Sequence, residues 1–266
     1  MSKLDELENE AIYYIREAYA NIPRLGMLWS MGKDSTVILW LVRKAFLGHV
    51  PIPAVHVDTM RKIPEMIQYR ETVAKELGLN LIVGKNEEAI AAGMGPEQGR
   101  LVCCGALKTE GLRQVIKKHD FGGLLVGIRR DEEGSRAKER VFSPRDSSFE
   151  WNFRDQPPEL WDQFRTDYGE GIHIRVHPIL NWTETDVWEY VRRENIPITD
   201  LYFARDGKRY RSLGCECCTG MIESAASTVD EIIEELATTT ASERGNRAQD
   251  QEDAYAMQKL RVKGYM

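Results

Sequence analysis

A short polar segment, Ser30-Met-Gly-Lys-Asp-Ser35, contains the groups that bind a phosphate or another oxyanion. A glycine such as Gly32 lets the backbone approach an anion closely, and the start of a following helix offers unpaired N–H groups with a partial positive charge. Lys33 adds a full charge, and the two serines add hydroxyl donors. The order differs from the longer Walker A motif. The segment predicts a phosphate-binding loop, and the alternative is a strand-to-helix turn without a ligand.

A second polar segment is rich in positive charge. Guanidinium groups bind the oxygens of sulfate or phosphate through paired hydrogen bonds. We therefore expect this segment to face an anionic co-substrate, and the alternative is a solvated loop neutralised by its own acidic residues. The basic residues are Arg129, Arg130, Arg136, Lys138 and Arg140.

The five cysteines fall in two tight groups, Cys103-Cys104 and Cys215-Glu-Cys-Cys218. Four thiolates can hold a [4Fe–4S] cluster or a tetrahedral zinc ion. Adjacent cysteines fit the usual C-x-x-C spacing of zinc sites poorly, which favours iron and sulfide. Buried free thiols are the alternative, because cysteine is among the most buried residue types.

The elements that position these groups alternate between strand and helix. Such alternation predicts an α/β fold with a parallel sheet, whose ligands bind at the carboxyl ends of the strands. The phosphate loop, Asp58 and the basic segment each follow an expected strand. Residues 131–172 are interpreted as a long loop region, and no apolar face is assigned to the tail 242–266. The apolar periodicity predicts strands at 24–29, 52–57, 80–83, 121–128 and 174–179, and helices at 3–20, 36–46, 63–77, 106–119, 183–194 and 229–237.

The composition excludes several classes of protein. Of 266 residues, 42% are hydrophobic and 29% are charged, which is too apolar for a disordered chain. No apolar run is long enough to span a membrane, and the first residues lack the pattern of a signal peptide, so we expect a cytoplasmic protein with no membrane contact. The formal net charge of −6 argues against binding nucleic acid by bulk electrostatics alone.

The phosphate loop resembles the pyrophosphate loop of the N-type ATP pyrophosphatases, within the phosphoadenylylsulfate (PAPS) reductase superfamily. Met31 stands where that family more often has glycine. Most of the chain looks like the small, catalytic subunit of bacterial sulfate adenylyltransferase. This implies a Rossmann-like (adenine nucleotide α-hydrolase-like) domain with helices on both faces at 1–200, and an irregular extension at 201–266. It also implies ATP and Mg²⁺ as ligands, with Asp58 contacting one of them. The motifs are His56-Val-Asp-Thr59, Lys108-Thr-Glu-Gly111, Asn181-Trp-Thr-Glu184, Ser242-Glu-Arg244 and Gly264-Tyr265.

The cysteines depart from that subunit. A CC pair with a downstream C-x-x-C resembles the iron–sulfur site of the adenylylsulfate reductases, which implies Cys103, Cys104, Cys215 and Cys218 as ligands of a [4Fe–4S] cluster. Those reductases need a C-terminal cysteine nucleophile, and no cysteine follows Cys218. An ATP-activating loop combined with a cluster resembles the ATP pyrophosphatase components of Dnd- and Ssp-type DNA phosphorothioation systems.

These resemblances lead to two hypotheses. The first is an ATP pyrophosphatase that adenylates an oxyanion or a DNA phosphate for sulfur transfer, with a cysteine desulfurase as partner and DNA delivered by partners. The alternative is a sulfate adenylyltransferase subunit that works with a GTPase large subunit. A nucleotide-bound scaffold without turnover and a homodimer are left open. His56 and His177 are interpreted as structural. In both hypotheses Ser30, Gly32, Lys33, Asp34 and Ser35 bind the nucleotide, Lys33 and Asp34 act in catalysis, and Arg129, Arg130 and Arg136 position the acceptor.

Overall fold

The computed structural model describes residues 1–248 and 256–265. The strands are β1 (Leu25–Leu28), β2 (Ala54–Val57), β3 (Leu81–Gly84), β4 (Gly123–Leu125), β5 (Phe142–Arg145), β6 (His173–Val176), β7 (Lys208–Arg209) and β8 (Ile222–Glu223). The first six form one sheet in the order β3-β2-β1-β4-β6-β5, and β7 and β8 form a separate pair. Neighbouring strands of the large sheet are parallel except for the edge strand β5, which runs antiparallel to β6.

Helices cover both faces of the large sheet. The α-helices are α1 (Lys3–Asn21), α2 (Lys33–Ala45), α3 (Pro64–Glu76), α4 (Glu87–Ala91), α5 (Arg100–Cys104), α6 (Gly111–His119), α7 (Glu184–Glu194), α8 (Val229–Thr238) and α9 (Ala256–Val262). Helices α1, α2, α7 and α8 form one chain of contacts, whereas α6 packs against β3. Every residue of β1, β2 and β6 is buried, as expected for parallel strands covered on both sides. Among the described residues, no helix is both long and apolar enough to cross a membrane.

The alternating pattern of the sequence is confirmed, and the strands β5, β7 and β8 were not expected. Residues 131–172 were expected to form a loop region, but Phe142–Arg145 within them forms β5. Its proline, Pro144, lies on an edge strand, which is where a sheet tolerates a residue without an N–H group. The expected helix 106–119 also begins differently, because Gly105–Glu110 forms a π-helical segment before α6.

The tail contains an apolar face that the sequence analysis did not assign. In α9 and just after it, Met257, Leu260 and Tyr265 pack around Cys104 and form a small second core. The periodicity was missed because the two large apolar residues that pack there, Met257 and Leu260, are only three positions apart in an otherwise mostly polar tail. Ile232 of the predicted extension is buried in the main core. The domain boundary at residue 200 stays a prediction.

A buried ion network anchors α9 to the edge of the sheet. Glu139 is fully buried and pairs with Arg145 (2.8 Å) and with Arg261 of α9. Burial opposes the charge of Glu139, but the two arginines outweigh it and lower the pKa of Glu139. The carboxylate is therefore a required partner of two buried guanidinium groups.

We expect Glu139→Gln to lower the free energy of unfolding by about 3–5 kcal/mol at pH 7, because it leaves buried charges unpaired. Since the pKa is lower in the folded state, this stabilisation is complete above the unfolded pKa, near 4.5, and is lost as the pH falls below it. Denaturant titrations at pH 7 and pH 4 measure both effects. The exposed Glu234→Gln serves as control, and equal stability of the two variants would contradict the network's role.

Candidate active site

The phosphate loop lies at the point where the strand order of the sheet reverses. Strand β1 has β2 on one side and β4 on the other, and the segment Ser30–Ser35 leaves its carboxyl end. Open α/β sheets bind ligands at such a switch point. Gly127, just beyond β4, approaches the loop so closely that a Cβ atom there would lie 2.9 Å from the backbone nitrogen of Ser35. The fold therefore brings the ends of two strands together around the start of α2.

The backbone of the loop leaves the start of α2 open. The N-cap residue Gly32 has no side chain that could cap the helix, and of the N–H groups in the first turn that of Lys33 already donates to the Tyr202 hydroxyl at 2.9 Å. Met31 adopts a left-handed φ of 63°, a conformation that glycine reaches without strain. Met31, which stands where the family more often has glycine, therefore still adopts the backbone conformation that glycine favours. Uncapped N–H groups at a helix start form an anion site.

A cavity of about 140 Å³ adjoins the loop. A single water needs only about 10–15 Å³, so this space suits a ligand rather than one buried water. Its walls combine strand ends, the loop and residues from the C-terminal quarter of the chain. The polar residues on the walls are Ser30, Lys33, Asp34, Ser35, His56, Lys62, Lys108, Glu132, Arg136, Tyr202, Ser212, Glu243, Arg244, Arg247 and Tyr265.

Glu243 bridges the two central cations of the site. Its carboxylate pairs with the ammonium group of Lys33 and with the guanidinium group of Arg129. Burial opposes the charge of Lys33, but Glu243 and Glu184 outweigh it and raise the pKa of Lys33. Arg129 also pairs with Asp34, at the start of α2. In this structure the Glu243 carboxylate therefore neutralises Lys33, the lysine that the sequence predicts to bind a phosphate.

A second basic group lies on another part of the cavity wall. Lys108 is buried, and its Nζ donates to the Tyr265 hydroxyl at 3.3 Å. Burial and the neighbouring charge of Lys108 lower the pKa of Lys62 to about 8. Arg247 donates to Ser212 Oγ (2.9 Å) and Thr219 Oγ1 (3.1 Å), which fixes the chain beside the cavity. A buried lysine, Lys108, close to a half-buried one, Lys62, favours binding of an anion.

All five cysteines are free thiols, and the fold brings their two groups together. Burial and then the nearby Cys104, Cys215 and Cys218 raise the pKa of Cys103 to about 11. Cys215 accepts or donates a hydrogen bond with Thr59 Oγ1 at 3.2 Å, and its backbone pairs with Lys62 on the cavity wall. Cys217 is exposed, with its Sγ 3.8 Å from that of Cys218. Among residues 1–248 and 256–265, no three His, Cys, Asp or Glu side chains are arranged to hold a metal ion.

The predicted site residues divide into two sets. Ser30, Gly32, Lys33, Asp34, Ser35 and Arg136 line the cavity. Arg136 pairs there with Glu132, while Arg129 lies behind the wall, bound to acidic groups. Arg130 lies outside, where it donates to Asn181 and to the Glu139 carbonyl. Asp58 accepts a hydrogen bond from the Met60 N–H at 2.8 Å, also outside the wall.

Several residues of the site were not singled out as site residues from the sequence. Four of them lie in segments that carry the family resemblance, and that resemblance was the signal that could have identified them: Lys108, Glu243, Arg244 and Tyr265. Lys62, Tyr202 and Arg247 had no motif to mark them. The fold brings them to the cavity from distant parts of the chain.

Comparison with known proteins finds the same fold. The profile of the phosphoadenosine phosphosulfate reductase domain matches residues 24–221. The crystal structure of phosphoadenylyl-sulfate reductase from Candida auris, a phosphate complex, superposes with a TM-score of 0.56 at 18% identity, covering 83% of this chain and 98% of that one. The FMN adenylyltransferase of Candida glabrata, in complex with ATP, has a TM-score of 0.56 at 16% identity, covering 80% and 61%. At such identities the likeness shows the fold alone.

Curated relatives match over their whole length. Sulfate adenylyltransferase subunit 2 of Bacteroides thetaiotaomicron is 44% identical, and the alignment covers all of this chain and 98% of the relative. The proteins of the same name from Parabacteroides distasonis and Vibrio cholerae are each 43% identical with the same coverage. The chain therefore belongs to the sulfate adenylyltransferase subunit 2 family, within the phosphoadenosine phosphosulfate reductase domain superfamily.

Proposed function

We propose that this protein transfers the AMP group of ATP to sulfate and releases pyrophosphate. The observation that carries this proposal is the start of α2, where the N-cap residue Gly32 has no capping side chain and Lys33 lies on a cavity with a second basic group. The chain is also 43–44% identical to subunit 2 over its full length. This reverses the ranking of the two hypotheses from the sequence. The name of these relatives also favours a second, large subunit as partner.

The loop would bind the outer phosphates of ATP. The N–H groups at the start of α2 and the Ser30 hydroxyl donate to phosphate oxygens, and Lys33 neutralises charge on the departing pyrophosphate. Asp34 holds Arg129 in place at the edge of the loop. Carboxylate oxygens of Asp34, Glu132 and Glu243 lie on or beside this wall, and they are the donors that Mg²⁺ prefers. When bound with ATP, the ion supplies further neutralisation of the phosphates.

The second basic group would hold sulfate. Lys62 and Lys108 offer ammonium donors, and Arg136 contributes a guanidinium group. A sulfate oxygen forms a bond to the α phosphorus, and the bond from that phosphorus to the bridging oxygen of pyrophosphate breaks, with the electron pair leaving on pyrophosphate. Sulfate is already fully ionised at neutral pH, so no general base is needed. Positioning and charge neutralisation account for the rate.

The test is sulfate-dependent release of pyrophosphate from ATP and Mg²⁺, with a GTPase large subunit present. We expect adenylylsulfate, identified by mass, in an amount equal to the pyrophosphate. Pyrophosphate release that does not depend on sulfate, or release without adenylylsulfate, would contradict the proposal.

We expect Glu243→Gln to bind ATP about tenfold more tightly, a change of about 1.4 kcal/mol. The phosphates must displace Glu243 from Lys33 and Arg129, and the neutral amide competes less for both cations. Calorimetric titration with α,β-methylene ATP and Mg²⁺ measures the change. Glu235→Gln is the control, because that carboxylate pairs with Arg209 (2.6 Å) away from the cavity. Unchanged or weaker binding by the Glu243 variant would show that no competition exists.

A second candidate is sulfur transfer to an adenylylated acceptor, as in DNA phosphorothioation with a cysteine desulfurase. The observation that favours it is the position of Cys215, whose backbone pairs with Lys62 of the wall. Burial opposes the thiolate, but Lys108 and Lys62 outweigh it and lower the pKa of Cys215. In the described part of the chain the cysteines form no group of three that could hold a metal ion, so no step is assigned to a metal or iron–sulfur centre.

Substitution of Cys215 separates the two candidates. Under the first, Cys215→Ser keeps sulfate-dependent adenylylation close to the wild-type rate, and under the second it abolishes sulfur transfer to the acceptor. Iron and sulfide analysis of anaerobically purified protein gives an independent measurement. Stoichiometric iron and sulfide, with an absorbance band near 400 nm, would favour the second candidate and contradict the reading of the cysteines as free thiols.

A further inference from the structure

Tyr265 is a residue of the cavity wall to which the proposed reaction assigns no role. It follows α9, it is buried, and its ring packs in the small second core around Cys104. The residue also lines the cavity, where the Nζ atom of Lys108 donates to its hydroxyl at 3.3 Å. Tyr265 therefore connects the end of α9 to the second basic group.

The end of α9 fixes the direction in which Tyr265 leaves the helix. Gly264 has a left-handed φ of 87°, and its N–H donates to the Arg261 oxygen at 2.9 Å. The Tyr265 N–H donates to the Leu260 oxygen, also at 2.9 Å. These two bonds around a left-handed glycine form a Schellman motif, in which the residue after the glycine packs back against the last turn of the helix. Leu260 and Tyr265 meet in the second core as the motif requires.

Two arginines outside the cavity hold the backbone of the same segment. Arg175 on β6 is buried, and its guanidinium group donates to the backbone oxygens of Gly264 and, at 2.6 Å, of Tyr265. Arg113 on α6 donates to the Lys263 oxygen at 2.8 Å. These contacts use only backbone oxygens of the segment. The position of the Tyr265 side chain therefore does not depend on its bond to a lysine of the cavity wall.

The hydroxyl group of Tyr265 faces the cations of the wall. An ammonium group has hydrogens and no lone pair, so towards Lys108 the phenol oxygen is the acceptor and its own hydrogen points elsewhere. Arg247, another wall residue, interacts with the same oxygen: burial and Arg244 lower the pKa of Arg247, and Tyr265 partly offsets that shift. The hydrogen of the hydroxyl is thus available to an anion held beside these cations.

We propose that the Tyr265 hydroxyl donates a hydrogen bond to an oxygen of bound sulfate, beside the ammonium group of Lys108. This inference rests on the proposed function, because it places sulfate at the second basic group. A hydrogen bond to a charged acceptor is stronger than one between neutral groups. A neutral donor adds that bond without another buried positive charge next to Lys62 and Lys108. Tyr265 therefore sets the affinity for sulfate, while the leaving pyrophosphate stays with Lys33.

The KM for sulfate of Tyr265→Phe tests the assignment, with ATP, Mg²⁺ and a GTPase large subunit present. We expect this KM to rise about tenfold to a hundredfold, because one hydrogen bond to a charged group is lost. Phenylalanine keeps the ring in the second core, so the Kd for α,β-methylene ATP should stay unchanged. Tyr168→Phe is the matched control, since that hydroxyl is also buried but lies away from the cavity, and it should leave both constants unchanged. An unchanged KM in Tyr265→Phe would overturn the inference.

A double variant separates a direct contact with sulfate from an effect through Lys108. In the Lys108→Met protein, Tyr265→Phe should raise the KM for sulfate by a further factor of about three or more, because Arg175 keeps the hydroxyl in place without the lysine. No further rise would show that Tyr265 acts only through Lys108 and would overturn the inference. An equal loss of ATP affinity would place the hydroxyl in the nucleotide site and also overturn it. Wild-type protein that forms no adenylylsulfate would instead overturn the proposed function itself.

Discussion

Lys33→Ala is expected to lower the rate of sulfate-dependent pyrophosphate release about a hundredfold to a thousandfold. The ammonium group is buried at the start of α2, where it would stabilise charge that develops on the leaving pyrophosphate. Removal of one preorganised charge of this kind typically reduces turnover by such a factor. A water molecule that filled the vacated space would carry no positive charge. Steady-state rates at saturating ATP and sulfate measure the effect.

Matched variants separate a loss of chemistry from a loss of folding. Lys44→Ala removes a lysine from the other end of the same helix, where it pairs with Glu8 (2.7 Å), and should keep near-normal turnover. Lys33→Met keeps most of the buried volume, so its thermal unfolding tests whether the cavity still forms. A folded Lys33→Met protein with wild-type turnover would contradict the assigned role of Lys33.

Lys108→Met is expected to raise the KM for sulfate about tenfold to a hundredfold while the Kd for ATP stays unchanged. Hydrogen bonds to charged groups contribute about 1.5–3 kcal/mol, and Lys108 is a buried cation of the second basic group. It lies with Lys62, apart from the pair formed by Lys33 and Glu243. The KM for sulfate and the Kd for ATP, measured on the same protein, give the two halves of this prediction.

An exposed lysine on the following helix provides the control. Lys118→Met, on α6, should leave both constants unchanged. If Lys108→Met lost ATP affinity as strongly as sulfate affinity, the second basic group would belong to the nucleotide site, and the assignment of a separate sulfate subsite would be wrong.

The local parts of the site were predictable from sequence. Ser30–Ser35 could be recognised because its glycine, charges and hydroxyls are contiguous and lie between a strand and a helix. The alternation of strands and helices likewise depends on short-range periodicity, and it predicted the parallel sheet. The edge strand β5 was missed because Pro144 and the surrounding polar residues do not have the pattern of a strand.

The long-range parts of the site could not be predicted in the same way. Glu243 reaches Lys33 across 210 positions of sequence, and no local pattern specifies that contact. Arg129 and Arg130 are adjacent in sequence and chemically identical, yet one binds Asp34 and Glu243 beside the cavity and the other faces Asn181 outside it. Only the path of the chain after β4 decides which guanidinium group points inward.

The central claim is that the start of α2 binds the outer phosphates of ATP so that sulfate can capture the inner one. The most direct measurement is a crystal structure with α,β-methylene ATP and Mg²⁺. We expect the β and γ phosphates to lie on the N–H groups of the segment Ser30–Ser35, with Lys33 released from Glu243. A triphosphate bound elsewhere, or the Lys33–Glu243 pair intact beside a bound nucleotide, would contradict it.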